Sequence, residues 1–226
     1  MRGFRSTVPG PGTRRTAWCA AACVVGLLAA MLLDDLAGRA APGIVSSVGA
    51  APGPVRTLLL RWFSFFHLAG SIDLWLLPAV AFALARSGGD GGRRRALRVL
   101  LLVLGSVALA GLGSEALKVV LRRERPGPGS ARYVRRPFAV ETWRTSALGL
   151  PSGHAAVAAA GATAVAILSP PAAPVMLVLA GGCGLQRVLS GAHFLSDVVA
   201  GWILGWVVAR SMARRLWRME EDAASP

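Results

Sequence analysis

The chain has 226 residues, 54% of them hydrophobic and 16% charged, with a mean hydropathy of +0.54. That balance excludes an ordinary soluble domain, which at this length carries more charge and fewer apolar residues. The net charge of +14 does not point to nucleic acid either, because the arginines form no basic domain and no aromatic-interleaved patch.

The apolar residues come in long blocks with arginines at their ends, the arrangement of a polytopic membrane protein. A span needs about 20 mostly apolar residues to cross ~30 Å of hydrocarbon, and the pattern predicts an all-α bundle of six such helices. The first covers 17–33, "AWCAAACVVGLLAAMLL". Arginines before it and small residues after it resemble a signal peptide. The long leading segment and the charged Asp34–Asp35, where cleavage sites are uncharged, favour an uncleaved helix.

Residues 34–56 read as a Gly/Pro/Ser-rich loop. The second span lies within 58–85, and its front, "LLLRWFSFFHL", suits an interfacial or slanted lead-in. The third covers 96–117 and is followed by a polar stretch, 122–150. The fourth begins at Ser152 and ends near 168, "SPPAAP" makes a turn, and the fifth and sixth cover 172–189 and 194–212. Cys19, Cys23 and Cys183 sit inside apolar blocks and read as small membrane hydrophobes, not as a disulfide framework or a metal site.

Arginines concentrate in the N-terminal tail, the 2–3 loop and the C-terminal tail, which six spans place on one side. By the positive-inside rule that side is the cytoplasm. The organisation expected is a cytoplasmic basic tail (1–16), one membrane domain (17–213) and a cytoplasmic tail (214–226). The 3–4 loop breaks the pattern. It is external, yet carries Arg122, Arg123, Arg125, Arg132, Arg135, Arg136 and Arg144, and an anionic substrate at the outer surface is the simplest reason.

Three clusters flank these spans. Among 25 lysines and arginines Lys118 alone is a lysine. It precedes Arg125 by seven positions, nearly one helical stripe, so both cations should project from one face before Pro126 ends the pattern. A lone lysine at a helix end also serves as a snorkelling anchor.

The second cluster, "LPSGHAAV" (150–157), puts Ser152, Gly153 and His154 at a helix start. Unpaired backbone N–H groups and a partial positive charge there make a phosphate cradle. The plainer reading has Ser152 as an N-cap, Gly153 as a turn residue and His154 as interfacial.

The third, "QRVLSGAHFLSDV" (186–198), carries Arg187, then His193 and, one helical turn later, Asp197. A carboxylate so placed can fix the imidazole tautomer and leave the other ring nitrogen free to attack. A capping Ser196–Asp197 pair is the alternative. Two of the three histidines and the only lysine fall in clusters that map to one membrane face, where ionisable groups are functional candidates by default. His67, in the aromatic lead-in, reads as interfacial rather than catalytic.

Taken together the clusters resemble the signature of the type 2 phosphatidic acid phosphatase superfamily: Lys, six residues, Arg-Pro; then Pro-Ser-Gly-His; then Ser-Arg, five residues, His, three residues, Asp. The matching positions are Lys118, Arg125 and Pro126; Pro151 to His154; and Arg187, His193 and Asp197, so the active-site segments are 118–126, 151–154 and 187–197. Gln186 stands in place of the usual Ser, and Gly127 where a second Arg often follows.

The resemblance implies that His193 is a nucleophile forming a phosphohistidine, oriented by Asp197. It implies His154 as general acid and then base, with Lys118, Arg125, Ser152, Gly153 and Arg187 binding the phosphoryl oxygens. It implies no metal and no other cofactor. The expected activity is an integral membrane lipid phosphatase acting at the extracytoplasmic face on lipid mono- or diphosphates. In a bacterium, to which the lysine-poor, Ala/Arg/Gly-rich usage points, these are phosphatidic acid, phosphatidylglycerol phosphate or undecaprenyl diphosphate. Its partners are then its lipid substrate and membrane lipids, with no nucleic acid. A lipid phosphotransferase using the same site is the nearest alternative. A non-catalytic protein binding or transporting anionic lipid is the weaker one, since binding alone needs neither an acid nor a nucleophile.

Overall fold

Each apolar block forms a helix. The computed structural model describes residues 13–127, 134–139 and 143–224. Its helices are α1 (Thr13–Ala50), α2 (Gly53–Leu68), α3 (Ile72–Ala85), α4 (Gly92–Leu100), α5 (Ser106–Leu121), α6 (Gly153–Leu168), α7 (Ala173–Leu189) and α8 (Leu195–Ala224). A π-helical turn, Leu101–Gly105, joins α4 to α5. Among the described residues β-structure is limited to two isolated bridges, so the fold is all-α as expected.

Among the described residues four apolar segments are long enough to cross a membrane: Thr16–Ala50, Gly92–Leu121, Pro170–Leu189 and Leu195–Met219. Helices α2 and α3 make a fifth if counted as one span bent by 68°. The fourth expected span, α6, has 16 residues, about 24 Å of helix against ~30 Å of hydrocarbon.

Two expectations change. The loop expected over 34–56 is helical up to Ala50, with Pro42 inside the helix. Turn-forming residues are a weak prior: Asp34 and Ala41 are buried in α1, which packs along α8 and α7, and the helix then runs on through the exposed Ile44 and Val45. The sixth helix runs on to Ala224, well past residue 212. The slanted lead-in is a helix of its own, α2, which contributes no buried residue and leaves Trp62 and Phe65 about half exposed.

Helix α6 lies at the centre, packed against α5, α7 and α8. Its sequence, GHAAVAAAGATAVAIL, is apolar all round, as a helix enclosed on every side must be. Small residues set the spacing. A Cβ on Gly201 would stand 2.5 Å from the Ser152 carbonyl, and one on Gly205 2.2 Å from the Ala156 carbonyl. This glycine pair, four residues apart on α8, therefore lets the α8 backbone touch α6 directly, the close approach that small-xxx-small pairs provide where lipid supplies no hydrophobic drive.

Alternating helix directions place the site. The C-terminal end of α5, the N-terminal end of α6, the C-terminal end of α7 and the N-terminal end of α8 meet at one end of the bundle, and each carries one of the motif segments.

Candidate active site

Lys118 sits in the last turn of α5, buried. The helix does not continue to Arg125. It stops where Arg122 adopts a left-handed conformation (φ 51°) and its N–H caps the Lys118 carbonyl at 2.9 Å. The single helical stripe expected for Lys118 and Arg125 is therefore absent. The chain turns back instead, and segment 122–125 is bracketed by 134–136 and 147–149 through main-chain hydrogen bonds. Arg125 is held by a 3.2 Å bond from its Nε to the Leu148 carbonyl, and the fold brings it to Lys118 by tertiary contact.

The arginine-rich loop has more than one use. Arg122 donates to the carbonyls of Arg136 and Pro137, Arg135 to that of Leu121, and Arg136 pairs with Glu124 at 2.9 Å. These cations bind the loop to itself, so an anionic substrate is not the reason for all of them. Arg132 lies outside the described residues.

A cavity of about 340 Å³ opens at this end of the bundle, with Lys118, Arg125, Gly153, His154 and His193 in its wall. Ser152, Arg187 and Asp197 stand behind that wall. Ser152 is buried as the N-cap of α6, its Oγ 3.5 Å from the Ala155 nitrogen, and its own N–H donates to the Asp197 carbonyl at 2.9 Å. The capping reading of Ser152 thus describes its hydroxyl, while Gly153 supplies the approach. A Cβ there would meet Ser114 Oγ at 3.1 Å and Lys118 Nζ at 3.7 Å.

His193 lies in the tight connection between α7 and α8, whose N–H groups at 192 and 193 fold back on the Arg187 carbonyl. Its Nδ1 stands 3.5 Å from Asp197 Oδ2, an ion-pair distance longer than an ordinary hydrogen bond, and it makes no hydrogen bond to any described residue. The same Oδ2 accepts the Phe194 N–H at 3.0 Å, and Arg123 Nη1 lies 3.1 Å from Oδ1. Asp197 therefore caps α8 and faces His193 at once. Burial holds the His193 imidazole below its ordinary value, against the opposing pull of Asp197.

Three participants were not assigned from the sequence. Glu115, one helical turn before Lys118, lines the cavity and pairs with Lys118 Nζ at 2.5 Å. The i, i+3 spacing was its only signal. His67, read as interfacial, is exposed, but it lies on α2 where that helix packs against α7. Its Nδ1 lies 3.1 Å from Arg187 Nη1, and its ring is 4.7 Å from that of His154. Gly70 at the bend permits this, since a Cβ there would stand 2.6 Å from the His154 ring. Arg123, one of the loop cations by sequence, reaches both Asp197 and Asp34 in the fold. Among the described residues no group of three or more histidine, cysteine and acidic side chains is placed to hold a metal ion.

The fold and the cavity define a class: an all-α protein with membrane-length apolar helices, which gathers two histidines, a buried carboxylate and several cations at one end of the bundle. Comparison with known proteins gives the class its family. Residues 99–220 match the PAP2 superfamily, and the chain belongs to it. The chain is 30% identical over 193 residues to a lipid A 1-phosphatase of Rhizobium johnstonii (strain DSM 114642 / LMG 32736 / 3841), covering 81% of this chain and 75% of that protein. Its fold is similar to the crystal structure of a transmembrane PAP2-type phosphatidylglycerolphosphate phosphatase from Bacillus subtilis. That match has a TM-score of 0.56 at 20% identity and covers 86% of this chain and 94% of the other.

Proposed function

We propose that this protein is an integral membrane lipid phosphatase that removes phosphate from lipid mono- or diphosphates by way of a phosphohistidine. The observation that carries the reading is the pairing of His193 with the buried Asp197 beside a cavity that His154, Lys118 and Arg125 also line. The names of its relatives, a lipid A 1-phosphatase and a phosphatidylglycerolphosphate phosphatase, support a phosphorylated lipid as substrate.

In this mechanism Lys118 and Arg125 hold the phosphoryl oxygens with the Gly153 N–H. Arg187, whose Nε is buried without a hydrogen-bond partner among the described residues, supplies a further donor. Ser152 contributes by fixing the start of α6. The free ring nitrogen of His193 attacks phosphorus, the bond from phosphorus to the lipid oxygen breaks, and His154 gives that oxygen a proton. His154 then takes a proton from water as the water oxygen attacks, the P–N bond breaks, and inorganic phosphate leaves. Asp197 stabilises the imidazolium formed between the two steps. Phosphoryl transfer asks mainly for such positioning and charge neutralisation. The residues carry it without a metal ion.

The same reading takes the chain as one domain over 17–213 with six spans, the short α6 enclosed by its neighbours and hence spared full contact with lipid. Both termini are cytoplasmic, and the cavity opens at the extracytoplasmic face. The substrate classes are phosphatidic acid, phosphatidylglycerol phosphate, undecaprenyl diphosphate and, from the relative, the 1-phosphate of lipid A.

The test is phosphate release in EDTA by the detergent-purified full chain from each of these lipids, with His193→Ala alongside. Release that the variant abolishes is the expected outcome. Undiminished release by the variant sinks the assignment of His193, and release that EDTA abolishes sinks the metal-free mechanism.

A further inference from the structure

Asp197 is held from a helix that none of the three motif segments contains. Asp34, on α1, is 3% exposed, an ionisable group buried among helices that read as membrane-spanning. Its Oδ1 accepts the Ser196 N–H at 2.8 Å, and its Oδ2 accepts the Ser196 hydroxyl at 2.5 Å. Arg123 Nη2 reaches the same Oδ2 at 3.2 Å. Arg123 Nη1 in turn donates to Ser196 Oγ at 2.6 Å and stands 3.1 Å from Asp197 Oδ1. The Phe194 ring, 4.2 Å from the guanidinium carbon, braces its plane. A single buried arginine thus bridges two buried carboxylates, and the second of them faces His193.

The charges in this arrangement matter as much as the contacts. Two carboxylates around one guanidinium leave a net charge of about −1 in a site of low dielectric, on the side from which His193 is supported. Arg123 offers Asp197 only one corner, at Oδ1, so Oδ2 keeps its place opposite the imidazole. Asp34 also lies at the N-terminal end of α8, where a carboxylate is favoured by the helix dipole and fixes the turn that carries Asp197. Without the Asp34 charge, Arg123 loses one of the two carboxylates it bridges here, and its positive charge weighs more heavily on Asp197.

We infer that Asp34 is a positioning residue for the His193–Asp197 pair, acting through Arg123 and Ser196. This rests on the phosphohistidine reading above. Asp34 touches neither the cavity nor the substrate, so its removal should lower the rate of the step at His193 and leave substrate binding alone.

The experiment measures kcat and KM for phosphate release, on whichever of the four lipids is turned over fastest, for full-length wild type, Asp34→Asn, Ser196→Ala and Asp35→Asn. The rate of phosphoenzyme formation in a single turnover is measured in parallel. Asp35 is exposed, and its variant should match wild type. Asp34→Asn is expected to lower kcat and the single-turnover rate together by about tenfold or more, the scale of a small misplacement of a reacting group, with KM within about twofold. A folded Asp34→Asn protein with wild-type kcat, or one whose defect lies in KM alone, overturns the inference. If Asp34→Asn does not fold, Ser196→Ala decides: a several-fold loss of kcat at constant KM supports the inference, and unchanged kcat overturns it. An inactive wild type, or an active His193→Ala, overturns the phosphohistidine reading and this inference with it. An active wild type with an unimpaired Asp34→Asn overturns this inference alone.

Discussion

His193 Nδ1 stands 3.5 Å from Asp197 Oδ2, and the two residues are 2% and 0% exposed. Burial lowers the His193 value and Asp197 opposes it, with a net shift downward. In the proposed mechanism His193 attacks as the neutral imidazole, so a lowered value keeps it competent into the acid range. The acid limb of kcat/KM, which reports the free enzyme, is therefore expected below the ordinary histidine value of about 6.5. Stability follows the same sign. The contribution of a neutral buried His193 is full above about 6.5 and is lost as pH falls through the lowered value. Asp197→Asn should move the limb further down and reduce the plateau by about 10²- to 10⁴-fold. A limb above the ordinary value, or a wild-type plateau in the Asn variant, contradicts this account.

Gly149 tests the same pair by crowding it. A Cβ at this position would lie 2.7 Å from Asp197 Oδ2 and 3.4 Å from the Glu124 carbonyl. The carboxylate has little room to yield, being fixed by the Phe194 N–H and by Arg123. Gly149→Ala is expected to lower kcat by about tenfold or more through displacement of Asp197. Gly181→Ala, where nothing lies within 4 Å, should be silent. Equal kcat in the two variants would show that Asp197 tolerates the shift.

What the sequence revealed and what it hid differ in kind. Charged and polar residues recurring at fixed spacings beside long apolar blocks made Lys118, His154, His193 and Asp197 visible as one end of a helical bundle. The helix-start position of Ser152 was equally legible, because capping is a local property. Contacts made across the fold were not. Asp34 and Arg123 are far apart in sequence and share no periodicity, and His67 reaches Arg187 because α2 packs against α7, a contact between helices more than a hundred residues apart in sequence. The helical stripe expected from Lys118 to Arg125 was lost to a left-handed Arg122, a conformation without a reliable signal in a non-glycine residue. The helix runs on through Pro42 over residues whose local turn propensity favours a loop, and propensity is a weak prior.

His67 should matter for phosphate affinity more than for chemistry. Its Nδ1 is the acceptor 3.1 Å from Arg187 Nη1, so losing it leaves the guanidinium less well aimed. His67→Ala is expected to weaken inhibition by inorganic phosphate about tenfold, or ~1.4 kcal/mol, in the range of one hydrogen bond to a charged group. His67→Gln keeps a side-chain acceptor and should recover part of that loss. If both variants bind phosphate like wild type, the Arg187–His67 contact has no part in holding the anion.

Lys118 separates two explanations of its own presence. As a snorkelling anchor it could be replaced by arginine, which serves membrane interfaces equally well. The surroundings argue otherwise: Lys118 is 4% exposed, its Nζ is 2.5 Å from Glu115 Oε1, and even a methyl group on residue 153 would stand 3.7 Å from it. A compact ammonium fits between Glu115 and the α6 N-terminus, whereas a planar guanidinium on a stiff fork has to displace one of them. Lys118→Arg is therefore expected to lose about 10²-fold in kcat/KM, close to the loss in Lys118→Met, because charge without the right shape does not reach the phosphoryl oxygens. Steady-state kinetics of the two variants, with melting temperature to confirm folding, decides the matter. Near-normal activity in Lys118→Arg would return this lysine to the role of a membrane anchor and leave Arg125 and Arg187 as the cations of the site.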